Sequence, residues 1–390
     1  MKKVELLAPA GDLEKLKIAI LYGANACFIG GEEFSLRARA SNFTIPEIKE
    51  ACLFAHAHNA KVHVTTNIIP HNDNLTHLEE YLHDLEEAGV DAVICASPTI
   101  IDAALKTKME VHVSTQQSIA NIEAIKYWAK KGVKRVVLAR ELSLQEIEMI
   151  KRESEVEIEV FIHGGMCVSY SGRCMMSNVM TDRDANRGGC AHSCRWNYDL
   201  YEGETKINDS FFAMSSKDLC AIKEIPKLIS MGVDSFKIEG RMKSLYYIST
   251  VVKAYRMLID DIYNNSLEDL NYYYNEIKKA ENRETSHGFF YGNATEKEHL
   301  YNSNKDNPTK EFVGIVLDYE DGIALVEQRN YFSPNDILEV FGPKYEKTFV
   351  VEEIRDLKNT ILDAARHPRQ LLKIKIPFAV SPYDMLRLKR

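Results

Sequence analysis

No stretch of this 390-residue chain approaches the ~18 uncharged apolar residues that a bilayer crossing needs, which excludes a membrane-spanning helix of the usual kind. The opening MKKVELLAPAGD has two lysines, but Glu5 and Pro9 interrupt its apolar run, so it is not expected to work as an export signal. Positive charge is also short. With 49 Lys and Arg against 57 Asp and Glu the chain carries −8, and as a whole it repels nucleic acid and anionic membranes. Any RNA partner must then be held by a local basic patch. No glycine-rich dinucleotide fingerprint follows the first strand, where Pro9-Ala10-Gly11-Asp12 stands instead, and this weighs against an open nucleotide-binding sheet. Global disorder is excluded by a hydrophobic share of 45% and a charged share of 27%. Together these absences describe a folded protein expected in the cytoplasm.

What the chain does have is cysteine, eight in all. Without an export signal these are not expected to form structural disulfides, since a reducing compartment leaves thiols free for metals or catalysis. Cys27, Cys52 and Cys95 are scattered and read as buried apolar thiols. Cys167, Cys174, Cys190, Cys194 and Cys220 crowd into one stretch.

Through residue 265, short β-branched runs alternate with segments of helical period, the pattern of parallel strands joined by crossover helices. Eight candidate strands begin at Val4, Ala26, Val62, Ala92, Val111, Val136, Ile158 and Ser235. Gly89, Gly132 and Gly232 precede three of them, where each would end a helix in a left-handed cap. The expected fold is α/β: a TIM-like (β/α)8 barrel over 1–265, with a Cys-rich insertion at 164–230 between strands seven and eight. A helical connector and polar linker follow over 266–310. From 311 to 390 the pattern is one of alternating short strands, with Asp321-Gly322 as a hairpin turn, and predicts a small C-terminal β-barrel. Its end, from Lys344 on, is locally basic and is the expected place for phosphate contacts, through Lys373, Lys375, Arg387 and Lys389.

Active sites of such barrels form at the C-terminal ends of the strands, and Cys167 lies four residues beyond His163 at the end of strand seven. Three chemistries fit the cysteines: a thiolate-held iron–sulfur cluster, a zinc ion, and a nucleophilic thiol with His163 or His192 as base and the Gly164 and Gly165 amides as oxyanion donors. Only Cys190 and Cys194 resemble a zinc knuckle, so zinc is the alternative cofactor; the peptidase-like reading leaves four cysteines without a role.

The segment EVFIHGGMCVSYSGRCMMS resembles the signature of the peptidase U32 family, with Glu159, Phe161, Gly164, Cys167, Gly172, Cys174, Met176 and Ser177 in place and Gly165 standing where Ser or Ala is usual. The likeness extends to ELLAPAGD, FSLRARASNF, DLCAIKEIPKLISMGVDSFKIEGRMKS and the C-terminal domain. CMMSNVMTDRDANRGGCAHSCRWNY is most similar to the branch that hydroxylates the wobble uridine of tRNA without oxygen, using prephenate. The resemblance implies a [4Fe-4S] cluster on Cys167, Cys174, Cys190 and Cys220, with Cys194 as the competing ligand. It also implies tRNA and a small carboxylated metabolite as partners, and leaves room for an electron-donating protein. Collagenase-like peptidase activity, rRNA cytidine hydroxylation and quinone hydroxylation are the functions of other relatives.

A carboxylated co-substrate calls for arginine, whose planar fork grips carboxylates in two hydrogen bonds. Arg37 and Arg39 follow strand two, Arg140 ends strand six and Arg241 follows strand eight, so all four are candidate binding residues. Gln116 and Thr65 are polar strand-end residues suited to substrate hydrogen bonds. His163 and Glu239 are the candidate catalytic groups, as proton carriers. Trp196, Tyr198 and Tyr201 are candidates for stacking on a nucleobase, or for packing over a cluster.

Overall fold

The computed structural model describes residues 3–36, 42–209, 212–267, 269–280, 283–301 and 308–388. Seven parallel strands, β1 (Glu5–Pro9), β2 (Ala26–Gly30), β3 (Lys61–Thr66), β4 (Ala92–Cys95), β5 (Glu110–Val113), β6 (Arg135–Val137) and β7 (Glu157–Gly164), pair in sequence order. The eighth, β8 (Ser235–Ile238), pairs with both β7 and β1 and closes the barrel.

Each expected strand is present, with ends displaced by up to two residues. Helices α1 (Leu13–Leu21), α2 (Ile45–Ala57), α3 (Leu78–Glu87), α4 (Pro98–Ala104), α5 (Ile122–Lys131) and α6 (Leu144–Glu153) alternate with β1–β7. Local chemistry sets several boundaries. Thr44 and Ser143 open α2 and α6 with reciprocal capping boxes to Glu47 and Glu146, each satisfying two backbone donors that a helix start leaves orphaned. Gly132 closes α5 with φ +95°, a conformation that a Cβ would strain.

The barrel lumen is partly charged, a feature the apolar strand pattern conceals. Arg135 bonds Glu157 and Glu159 at 2.8 and 3.0 Å, and Lys237 reaches Glu159 at 2.9 Å, all deep inside. Burial is the largest influence on Glu159 and opposes its charge, yet Lys237 and Arg135 outweigh it and hold the carboxyl at about 2.

After β7 the chain leaves the barrel. It forms a short helix α7 (Met176–Thr181) and returns through a strand, Asp218–Cys220, that pairs antiparallel with the end of β7. Helix α8 (Ile225–Ser230) precedes β8, and α9 (Leu245–Tyr263) with α10 (Leu270–Ile277) follows it. The connector is more than a linker: Thr285–Ser286 extends the sheet beside Asp218–Cys220, and the Leu144 amide donates to Phe290 O.

Residues from Glu311 onward build eight antiparallel strands curled round a separate core that includes Val313, Val326, Leu338 and Leu372. Asp321 and Gly322, both at positive φ, make the expected hairpin turn. This domain is docked on α1 and α9: the Tyr22 hydroxyl donates to Phe341 O at 3.1 Å, and Lys253 Nζ donates to Tyr345 O at 3.0 Å. Among the described residues no helix is long and apolar enough to cross a membrane.

Candidate functional site

Several contacts tie the 164–230 insertion over the C-terminal mouth of the barrel. Glu141, just past β6, accepts from the Ser171 amide at 2.7 Å and its hydroxyl at 2.6 Å, which holds Ser171 at φ +47°. Arg173 Nε donates to Gln116 O at 2.7 Å, next to β5. Arg140 Nη1 donates to Gly165 O at 2.8 Å while its guanidinium covers the Phe161 ring at 4.6 Å. The Glu141 carboxylate thus anchors the insertion, and Arg140 anchors the turn after β7.

Under this cover lies a cavity of about 500 Å³, bordered by Cys167, Cys174, Cys190 and Cys194. The backbone amide of Met176 donates to Cys174 Sγ at 3.3 Å, a contact that stabilises a thiolate. Asn186 braces the same cysteine, accepting from its amide and donating to its carbonyl. Burial raises the Cys194 thiol; Cys167, Cys190 and Cys174 add to the shift and Arg195 opposes it. Among the described residues, no three His, Cys, Asp or Glu side chains converge as a single-ion site requires.

Cys220 stands apart. It is opposite His163 in the ladder and buried against the Tyr255 hydroxyl, burial pushes its thiol up to about 11, and it does not border the cavity. His163 shares that environment, with Nδ1 3.3 Å from Tyr255 and its ring beside Tyr247, and it too lies off the cavity walls. Cys27, Cys52 and Cys95 are buried in the barrel wall, and burial pushes the last two up to about 12, as expected of inert thiols.

A second cavity of about 120 Å³ descends from the first into the barrel mouth, and Arg140, Gly172 and Glu239 border both. Arg241, Lys237, Gln116 and Thr65 belong to its polar lining, together with Asn67, Ser114, Thr115 and Ser171. Arg241 is buried, and its guanidinium donates to Ser35 Oγ at 3.0 Å, Thr65 Oγ1 at 3.3 Å and Asn42 Oδ1 at 3.0 Å. Gln116 is locked to Asn67 by two hydrogen bonds, of 2.8 and 3.0 Å. Glu239 Oε2 accepts from the Gly165 amide at 3.3 Å, which engages one of the two amides expected to form an oxyanion hole. Arg37 and Arg39 lie outside the described residues.

Several residues here escaped the reading of the sequence. Gly30 ends β2 directly against Arg241, where a Cβ would collide with the guanidinium. Lys237 reads as a strand residue yet lines the smaller cavity, its ammonium 4.6 Å from the Phe28 ring centre. Arg183, Arg195 and Lys243 border the larger one. At the basic C-terminal end Arg387 is buried with Glu339 and Glu346 and Lys375 pairs with Glu352 at 3.4 Å, while Lys373 bonds the neutral amide of Asn359. Lys389 lies outside the described residues.

The profile of Peptidase family U32 matches residues 11–300, and that of its C-terminal domain matches 308–387. The chain belongs to peptidase family U32. Among its U32 relatives is the tRNA hydroxylation protein P1 of Bacillus subtilis (strain 168), 48% identical over 99% of this chain and 95% of that protein. The tRNA hydroxylation protein P of Helicobacter pylori (strain ATCC 700392 / 26695) is 40% identical over 74% of this chain and 72% of its own. The 23S rRNA 5-hydroxycytidine C2501 synthase of Escherichia coli (strain K12) is 38% identical over 76% of this chain and 44% of its own.

Proposed function

We propose that this U32 protein is an RNA-modifying enzyme that hydroxylates tRNA, and more specifically that it installs the hydroxyl on the wobble uridine, position 34, without molecular oxygen and with prephenate as the oxygen-donating co-substrate. Relatives named for tRNA and rRNA hydroxylation support the RNA-modifying class. The observation that carries the finer reading is the pair of joined cavities, one walled by four thiols and the other lined by arginine, lysine and amide groups.

Cys167, Cys174, Cys190 and Cys194 are the residues we assign to hold a [4Fe-4S] cluster, in preference to the set containing Cys220. Thiolate is the fitting donor for such a cluster, and the Met176 amide already points at one sulfur. A zinc ion would need its donors about 2.3 Å from one point, a convergence the described residues lack, so zinc is the weaker alternative. When bound, the cluster supplies one-electron chemistry at the cavity wall.

The chain's own residues do the rest. Arg241 and Arg140 offer guanidinium groups to the carboxylates of the co-substrate, and Lys237 adds positive charge at the cavity floor. Gln116, fixed by Asn67, orients a neutral oxygen. Glu239 borders both cavities and is the group able to hold or move a proton between co-substrate and base. The insertion lies over the mouth and supplies the wall of the larger cavity.

Wobble-position uridine from a deletion strain should lack the hydroxyl-derived modification. Wild type should restore it and Cys174→Ala should not. Full restoration by Cys174→Ala would remove the cluster from the reaction. Intact modification in the deletion strain would reopen peptidase, rRNA or quinone chemistry.

A further inference from the structure

The expected phosphate-binding surface is the C-terminal domain, where Arg387 is buried with Glu339 and Glu346 and Lys375 pairs with Glu352. The molecule's most conspicuous apolar exposure lies elsewhere, on the insertion around the thiol-walled cavity. Tyr170, Met175, Val179 and Trp196 are all exposed there, Val179 at 79% and Trp196 at 41%. Soluble monomers seldom leave such a patch uncovered without a partner. Guanidinium groups are interleaved with it. Arg173 is exposed beside Met175, and Arg183 borders the cavity with a buried Nε that has no hydrogen-bond partner among the described residues.

From this surface we infer that the insertion itself is the RNA-docking face: a single-stranded RNA loop lies across the rim, its bases stacked on Tyr170 and Trp196 and its phosphates held by Arg173 and Arg183, so that one base enters the cavity. The inference rests on the tRNA reading above and adds where the loop is gripped. Aromatic faces alternating with arginines match a splayed single strand, in which every base offers a π-face and every link an anion. A protein partner fits less well, because the centres of protein interfaces are depleted of charge. An opening of about 500 Å³ under the rim gives a flipped base somewhere to go. Asp182 and Asp184 lie on the same segment; Asp184 is occupied in capping the Asn186 amide, and Asp182 is exposed.

The chain has two tryptophans, and the other, Trp128, is buried on α5, so Trp196 can report alone in a Trp128→Phe protein. An anticodon stem-loop RNA titrated into that full-length protein should quench Trp196 saturably, and less so as salt rises. Tyr170→Ala and Arg183→Gln should each weaken binding about tenfold or more, in line with the worth of a lost base stack or phosphate contact. Lys373→Ala with Lys375→Ala should leave it within about twofold. If Trp128→Phe does not fold, the difference in emission between wild type and Trp196→Phe gives the same reading. RNA binding with Trp196 silent and binding lost in the lysine variant would overturn the docking face and leave the tRNA reading intact. No binding of RNA by wild type would overturn both. A dimer that Val179→Asp converts to monomer in sedimentation, with RNA affinity unchanged, would assign the patch to a second copy and overturn the inference.

Discussion

Lys237 Nζ lies 2.9 Å from Glu159 Oε1 inside the barrel, with Arg135 2.5 to 3.0 Å from the carboxylates of Glu5, Glu157 and Glu159. Glu159 is held at about 2 against an ordinary 4.5, a depressed folded-state value whose stabilisation is present above pH 4.5 and is lost as pH falls toward 2. At ~1.4 kcal/mol per unit the difference is about 3 kcal/mol. Glu159→Gln should lower unfolding free energy by roughly that amount at pH 7, with the deficit shrinking as pH falls below 4.5. Urea unfolding at pH 7 and pH 3 checks this; an equal deficit at both would mean that the ion pair is not its source.

Arg241 should control the co-substrate and not the cluster. Its fork is oriented by Ser35, Thr65 and Asn42, and lysine cannot reproduce two parallel hydrogen bonds to a carboxylate. Arg241→Lys is expected to raise the KM for the carboxylated co-substrate about ten- to a hundredfold, the equivalent of about 1.5–3 kcal/mol for a charge-assisted contact. Iron content should be unchanged. Steady-state kinetics with saturating tRNA measure the first and metal analysis the second.

Gly30→Ala should copy the Arg241 phenotype without touching that side chain's chemistry, because the added methyl occupies the space of the guanidinium. Co-substrate KM should rise while the melting temperature falls by only a few degrees. A variant with normal KM would show that Arg241 can shift without loss, and would weaken its assignment as a carboxylate grip.

Arg387 is a structural residue. It is 1% exposed, pairs with Glu346 at 2.7 Å and with Glu339, and covers the Phe341 ring at 4.2 Å. Arg387→Ala should destabilise the C-terminal domain by ~3–5 kcal/mol, the usual cost of leaving buried charges unpaired, and leave the salt dependence of tRNA binding as it was. Calorimetry and filter binding separate the two effects.

The barrel was legible in the sequence because period-2 and period-3.6 patterns, with Gly89, Gly132 and Gly232 before their strands, are local signals. The position of the cysteine insertion followed from the gap between β7 and β8. What was hidden depends on side chains that meet only after folding. Lys237 and Glu159 sit 78 residues apart, and nothing local distinguishes such a pair from surface charges. His163 reads as catalytic from its place beside the cysteines, and the structure sets it opposite Cys220 and 3.3 Å from the Tyr255 hydroxyl. The return strand Asp218–Cys220 buries Cys220 against Tyr255, off the walls of the cavity that Cys167, Cys174, Cys190 and Cys194 border, a placement sequence spacing could not reveal. A count of lysines and arginines near the C-terminus also takes no account of the carboxylates of Glu339 and Glu346 that the fold brings to Arg387.

The central claim is that Cys167, Cys174, Cys190 and Cys194 hold an iron–sulfur cluster beside the carboxylate pocket. Its most direct test is iron and acid-labile sulfide per chain, with a visible spectrum, on wild type, Cys194→Ser and Cys220→Ser purified without oxygen. The account predicts about four of each in wild type and in Cys220→Ser, with a broad visible shoulder, and loss of both from Cys194→Ser. Iron retained by Cys194→Ser and lost from Cys220→Ser would contradict the ligand set, and no iron in wild type after anaerobic reconstitution would contradict the cluster itself.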